Sequence, residues 1–262
     1  MQKIYLIFVL FFSSLMLSAQ NVRLAKSIYK GNDLSEVMEY FYSKDGNVKK
    51  ITQTQDGKLH STISDLIFNG NGLLASYTET FDLKISPQKT TITYDGEKRI
   101  STFKTIKTQD EKVMKTRSYS YDGDIVTVIE PVNNSYKTIY YFSKDGDITK
   151  MQDVWDPSTA STRLYDEYDL YKNPLTMTGG FITDKPISKH NSLADNYVDI
   201  YLIKRKLEYS KQLIHKHVPG GAKIPTMYGN NLLIKATETS FSKDLNKLIP
   251  VSTTTYEYII LK

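Results

Sequence analysis

A unit of about 25 residues recurs along the chain and makes a β-sheet the natural outcome. Each copy contains an aromatic-alternating run, a tight turn rich in Gly, Asp and Asn, and a second apolar run. The turn glycines stand 26, 24, 27 and 23 residues apart: Gly46, Gly72, Gly96, Gly123 and Gly146. Asp-Gly and Asn-Gly tolerate the positive φ angles of tight hairpin turns. The repeat therefore predicts successive β-hairpins.

Side-chain alternation before each turn predicts strands with one aromatic face and one hydroxyl face. Tyr119 and Tyr121 share one face, and Ser118 and Ser120 share the other. After the turns, the apolar residues stand three apart instead of two, which predicts a bulge or a two-sided strand. Such pairs are Val48 with Ile51, Ile100 with Phe103, and Ile148 with Met151.

Hairpins must join edge to edge, because a single two-stranded hairpin is marginal in water. The predicted fold is therefore mainly β: an antiparallel meander of repeated hairpins that forms a curled single sheet or an open barrel. We expect one domain over residues 20–262. It comprises hairpin repeats at about 36–178, a non-repeating insert at about 179–227 and closing strands at about 228–262.

The insert contains apolar or amphipathic side chains at helical spacing from Leu193 to Ile214. Ser192 and Asp195 resemble the start of a capping box. This pattern predicts one helix near residues 192–214. A pair of strands is the alternative, because Val198, Ile200 and the tyrosines weaken helix propensity.

The first 19 residues have the order of a signal peptide. Lys3 precedes an apolar run, and Ala19 offers a small residue at the cut. The apolar stretch is too short to span a membrane as a helix. We expect an exported protein in the periplasm, on the outer-membrane surface or outside the cell, with no transmembrane helix after cleavage.

The Tyr-Asp-x-x-Gly-x-Ile/Leu rhythm resembles the YD repeats of RHS-type proteins. The segment from Leu164 to Pro174 resembles a step in exported Bacteroidetes-type proteins of unknown function that contain YD-like sheets. Those proteins are mostly lipoproteins, whereas this chain has no Cys for a lipid anchor. The resemblance implies a β architecture and an envelope location, and it implies no activity.

Composition removes many functional classes. The absence of Cys excludes disulfides, zinc–cysteine sites and thiol catalysis. No nucleophile elbow, P-loop or dinucleotide motif occurs, and His215 with His217 lacks further ligands at metal spacing. The net charge of +5 is scattered, unlike that of a nucleic-acid-binding face. We therefore expect no catalytic residues, no metal and no cofactor, and no nucleic-acid partner.

Ligand contact is instead assigned to aromatic and basic side chains. The single Trp suits stacking on a sugar, the tyrosine stripe becomes a binding surface where it is uncovered, and a basic region in the insert suits an acidic group. The candidate contacts are Trp155, Tyr119, Tyr121, Tyr140, Lys204 and Arg205.

The sequence favours a non-enzymatic exported or cell-envelope protein that binds a ligand on its sheet. The partner is a glycan, another envelope component or a protein. Two alternatives stay open: an outer-membrane β-barrel, and a half-barrel that carries a lipid or lipoprotein chain. Against the first, the outward positions are largely Thr, Ser, Lys and Glu instead of a lipid-facing apolar band.

Overall fold

The structure, a computed structural model, describes residues 21–82, 85–130, 136–156, 159–178, 180–197, 201–209, 214–217, 223–226, 232–242 and 247–261. The expected signal peptide at 1–19 lies outside these ranges. Strands dominate the described residues. They are β1 Asn21–Gly31, β2 Ser35–Tyr42, β3 Val48–Gln55, β4 Lys58–Phe68, β5 Leu74–Phe81, β6 Gln88–Tyr94, β7 Ile100–Lys107, β8 Val113–Asp122, β9 Ile125–Ile129, β10 Lys137–Phe142, β11 Ile148–Asp156, β12 Thr159–Lys172, β13 His190–Tyr197, β14 Tyr201–Tyr209, β15 Ile214–His217, β16 Lys223–Thr226, β17 Leu233–Ser242 and β18 Lys247–Leu261.

Sixteen of the described strands form one antiparallel sheet, which confirms the predicted meander. Each strand from β1 to β14 pairs with the next, β14 pairs with β17, and β17 pairs with β18. The sheet then closes, because β1 pairs with β18 as well as with β2. The sequence predicts a curled single sheet or an open barrel; in the structure the sheet is a barrel whose strand pairing is continuous around the ring. Strands β15 and β16 form a separate two-stranded sheet.

Five-residue loops join several of the hairpins, and the first loop residue holds each one. Asn69 Oδ1 accepts hydrogen bonds from the backbone N–H groups of Asn71 and Leu73, both at 3.0 Å. Asp95 and Ser143 accept equivalent pairs in their loops. These side chains satisfy backbone donors that the turn leaves without a strand partner.

The fourth loop residue adopts a positive φ, as a type I turn followed by a G1 bulge requires. Gly72 has φ 74°. In the third repeat, the residue with positive φ is Lys98, at 64°, and not the expected Gly96. Asp95 at the start of that loop therefore sets the turn, and Gly96 occupies a position that any residue can adopt.

The bulge predicted after the turns is confirmed. The register shifts by one residue between Phe41 and Tyr42 opposite β3, so Lys49 is the additional residue. The same shift occurs opposite β7 and opposite β11. Because of the added residue, Val48 and Ile51 are both buried, each at 1% exposure, although three positions separate them.

The helix predicted near 192–214 is wrong. Its described residues lie in β13, β14 and the start of β15, and Ala194 to Tyr197 pair with Tyr201 to Lys204. The apolar spacing that suggested a helix also fits two strands, and the β-branched and tyrosine residues favour strands. In the described part of the chain, no helix is long and apolar enough to cross a membrane.

The connection between β12 and β13 enters the barrel; we call its described residues 174–178 and 180–189 the inner segment. It begins with one turn of 3-10 helix at Pro174–Met177. Leu175 and Phe181 pack against the core cluster of Leu24, Tyr40, Val48 and Ile51. Phe181 also packs against Tyr77, with ring centroids 5.7 Å apart. Contacts with β1, β2, β3 and β5 place this segment in the lumen.

Candidate functional site

The candidate site lies where β8 faces the inner segment. Alternation along β8 directs Lys115, Arg117 and Tyr119 to the same side as the core residue Phe103 on β7. Lys115 Nζ contacts the carboxylate of Asp184 in the inner segment. Arg117 NH1 lies 2.6 Å from the same carboxylate, and Tyr119 donates a hydrogen bond to the Asp184 carbonyl at 2.8 Å.

Arg117 also reaches Glu130, which follows the neighbouring strand β9. Its Nε donates to Glu130 Oε1 at 2.6 Å, so the guanidinium bridges two carboxylates. Burial alone would lower the pKa of Arg117, but the charges of Asp184 and Glu130 outweigh it and raise that pKa. Arg117 is thus a fixed cation that joins the inner segment to the wall.

Asp153 on β11 provides an acceptor on the adjoining wall. Thr138 Oγ1 donates to its Oδ1 at 2.7 Å, and the Tyr136 hydroxyl donates to the same oxygen at 3.2 Å. The Tyr136 ring lies 6.3 Å from the ring of Trp155, which is 46% exposed. A carboxylate and an exposed indole therefore flank one tyrosine.

Five of the residues just described line a cavity of about 360 Å³, here called the polar cavity: Arg117, Glu130, Tyr136, Thr138 and Asp153. Its volume lies within the roughly 300–1,000 Å³ range of small-molecule sites. Charged and hydroxyl-bearing side chains dominate the lining, with a few apolar ones between them. The lining residues used below are Arg117, Glu130, Tyr136, Tyr140, Asp153 and Lys185.

A second cavity, of about 340 Å³, lies along the inner segment. We call it the apolar cavity, since carbon-rich side chains from β9, β10 and the inner segment make up most of its wall. Lys185 and Pro186 line both cavities, so the two meet at that point of the inner segment.

Burial raises the pKa of tyrosines in the lumen. Desolvation is the main cause for Tyr140, and the nearby charge of Asp153 adds to it. For Tyr119, burial acts together with the charge of Asp184. Both side chains are therefore neutral phenols at physiological pH and can donate a hydrogen bond.

The structure distributes the sequence-predicted contacts over several places. Tyr140 lines the polar cavity, and Tyr119 and Tyr121 line the apolar cavity. Trp155 stands beside Tyr136 at the end of β11. These four belong to one sector of the barrel, whereas the remaining two belong to β14.

The two basic candidates on β14 are not part of that sector. Arg205 Nε donates to Glu238 Oε1 at 2.8 Å, and Arg205 NH1 donates to Ser192 Oγ at 3.2 Å. The backbone of Lys204 is in register with Ala194 and Thr239. The side chain of Arg205 thus links β14 to its two neighbouring strands, β13 and β17.

Sequence reasoning missed the charged residues of the polar cavity. Arg117 is in phase with Tyr119 and Tyr121 on β8, so it occupies an inward position of a predicted strand. A charged residue at an inward position of a predicted strand was a signal in the sequence that could have identified this site. Asp184 and Lys185 gave no comparable signal, because they lie in a connection with no repeat. Among the described residues, no group of three or more His, Asp or Glu could hold a metal ion.

Comparisons with known proteins give distant structural likenesses only. No protein-family model and no curated protein matches the chain. A porin-like protein from Bacteroides uniformis is similar with a TM-score of 0.41 and 8% identity, over 90% of this chain and 96% of that one. A porin-like protein from Bacteroides vulgatus gives 0.40 and 12%, over 90% and 98%. TcdB2-TccC3 gives 0.23 and 12%, over 85% of this chain and 14% of that one.

All three TM-scores lie below 0.5, so these likenesses assign neither a family nor a function to the chain. The resemblance to YD repeats stays a prediction. What the molecule binds has to be argued from its own cavities.

Proposed function

We propose that this chain is an exported, non-enzymatic binding protein that holds a small carbohydrate in the polar cavity. The observation that carries the proposal is the composition of that cavity. Carboxylates, basic groups and neutral tyrosine hydroxyls converge on a space of about 360 Å³ inside a closed sheet.

Carbohydrate chemistry matches these groups. A sugar presents hydroxyls that donate and accept, and it presents C–H faces that pack on aromatic rings. Asp153 and Glu130 accept hydrogen bonds, Arg117 and Lys185 donate them, and Tyr140 offers a ring. Trp155 and Tyr136 add two further rings beside Asp153.

The outer face of the barrel supports a wall that faces water. On β6, the exposed residues Lys89, Thr91 and Thr93 alternate with the buried Thr90 and Ile92. Exposed polar residues on other strands include Lys50, Lys104, Ser120, Lys137 and Glu257. A strand that faces lipid would instead present an apolar band. These polar positions support a wall that faces water, and they stand on the same sheet as exposed apolar residues such as Leu59 and Ile67.

A carbohydrate screen tests the proposal. The purified protein is titrated with mono- and disaccharides, and binding is followed by calorimetry and by the fluorescence of Trp155, the single Trp of the chain. We expect saturable binding that Asp153→Asn weakens at least tenfold, because a hydrogen bond to a charged acceptor contributes about 1.5–3 kcal/mol.

Asp122→Asn is the matched control, because Asp122 is exposed in the β8–β9 turn. It should leave the affinity unchanged. Circular dichroism checks that both variants fold. Absence of binding to every sugar, or binding that Asp153→Asn does not affect, contradicts the proposal.

A further inference from the structure

The hydroxyl groups in the wall of the apolar cavity have no free donor, because each proton is already used within the protein. Five of its residues bear hydroxyls, and each hydroxyl donates to a backbone carbonyl of the protein. Tyr119 donates to Asp184 O at 2.8 Å and Tyr121 to Ile100 O at 2.9 Å. Thr176, Thr178 and Thr183 donate to carbonyls of the inner segment or of Asn173 just before it.

These residues therefore offer a ligand no free hydroxyl donor. The remaining wall is largely aliphatic and aromatic: Ile100, Val126, Phe142, Leu175, Ile182 and Ile187. A polar ligand group here would lose its contacts with water and gain few in return. An apolar group forms no hydrogen bonds with water, so it loses none when it enters the cavity. A 150 Å³ apolar cavity suffices for benzene, so about 340 Å³ leaves room for a larger apolar group.

The position of the apolar cavity indicates how such a group would be attached. Both cavities are lined by Lys185 and Pro186, so a single molecule can extend from one to the other past these two residues. At that junction, Lys185 supplies a positive charge that suits the polar end of a ligand. A molecule with a polar head and an apolar tail matches the two linings in order.

We propose that the ligand is a glycosylated amphiphile, with its sugar in the polar cavity and its alkyl or acyl chain in the apolar cavity. The sugar half of this assignment rests on the proposed function above. The assignment of the alkyl or acyl chain rests only on the lining of the apolar cavity. The sugar assignment and the chain assignment can therefore fail separately.

Paired glycosides that differ only in chain length provide the test. Methyl and octyl β-glucosides, β-galactosides and β-maltosides are titrated below their micellar concentrations, with octanoate as a chain without sugar. For a sugar that binds, the octyl glycoside should bind at least tenfold more tightly than the methyl glycoside, because each buried methylene adds to affinity.

Two variants narrow the apolar cavity. Val126→Phe on β9 and Ile187→Phe in the inner segment each fill space in it, and one folded variant is sufficient. Either should abolish the tenfold gain and leave methyl glycoside binding intact. Thr127→Phe is the matched control, because Thr127 is next to Val126 and alternation directs it to the other face of β9.

Equal affinity for octyl and methyl glycosides overturns the inference, as does a gain that persists in a folded cavity variant. Binding of octanoate that Val126→Phe removes, without binding of any methyl glycoside, upholds the apolar site and overturns the proposed sugar function. Failure of every compound to bind overturns both.

Discussion

Arg117 joins three parts of the molecule through one guanidinium group. It belongs to β8, pairs with Glu130 just after β9, and contacts Asp184 in the inner segment, 67 residues away in sequence. Its side chain is 13% exposed. Ion pairs shielded in this way are costly to break, because the remaining charges lose their partner without regaining full hydration.

Arg117→Leu should lower the free energy of unfolding by about 3 kcal/mol, since it leaves Glu130 and Asp184 without this cation in a shielded site. Urea denaturation followed by circular dichroism measures the change. Lys26→Leu is the control, because the side chains of the Lys26–Glu39 pair, at 29% and 43% exposure, are more accessible than that of Arg117. It should cost less than about 1 kcal/mol. Equal costs for the two variants would show that the Arg117 bridge has no special role.

At the scale of elements, the hairpin loops show how local chemistry sets the sheet. The loop around Gly72 and the loop around Lys98 contain the same hydrogen bonds, which Asn69 Oδ1 accepts in one and Asp95 Oδ1 accepts in the other. The residue at the positive φ position is Gly72 in the first loop and Lys98 in the second. A Lys there retains the steric conflict of its Cβ, which glycine avoids.

Exchanging these residue types should move stability in opposite directions. Lys98→Gly should raise the free energy of unfolding by about 0.5–1 kcal/mol, because it relieves a left-handed non-glycine residue. Gly72→Lys should lower it by a similar amount. A Cβ at Gly72 meets no atom within 4 Å, so the cost is conformational and not steric crowding. Chemical denaturation measures the free energy of unfolding of both variants. Destabilisation by Lys98→Gly would contradict this account of the loop.

At the scale of the whole molecule, pairing between β1 and β18 closes the meander into a barrel with an internal lumen. Ten residue pairs run from Asn21–Leu261 to Gly31–Ser252, with one irregularity between Leu24 and Lys26. Closure removes both sheet edges, which would otherwise be open to pairing with other chains. It also encloses the inner segment, and thereby creates both cavities.

A cross-link across the seam tests closure. Ile28 and Thr255 are direct partners, and opposed residues in an antiparallel pair lie within about 4.5–5.5 Å, close enough for a disulfide. Ile28→Cys with Thr255→Cys should therefore form an intramolecular disulfide under mild oxidation, in a chain that has no other Cys. Mass spectrometry of the unreduced protein detects it.

The control places the thiols two strands apart. Val37→Cys with Thr255→Cys should remain reduced, because Val37 pairs with the far side of Ile28. A disulfide in the control pair and none across the seam would contradict the closed register.

Much of the fold could be predicted from local patterns. Turn residues, alternation and the three-residue spacing of Val48 and Ile51 act over a few positions, so the hairpins and their bulges are visible in the sequence. The helix prediction failed in the insert, where the apolar spacing from Leu193 onward fits either element. Pairing between β13 and β14 settled that ambiguity.

The candidate site was only partly predictable for the same reason. Tyr119, Tyr121 and Tyr140 follow from the aromatic stripe, and all three line a cavity. The contact between Arg117 and Asp184 does not follow, because it depends on a connection that has no repeat and crosses the lumen.

The sequence by itself determined that this chain forms successive antiparallel hairpins with one hydroxyl-rich face, since positive φ turns and a period of two are properties of neighbouring residues. Only the tertiary structure decided that β1 meets β18 and that residues of the inner segment line both a polar and an apolar cavity. Those contacts join residues far apart in the chain, and they depend on how strand number, twist and packing combine to close the sheet.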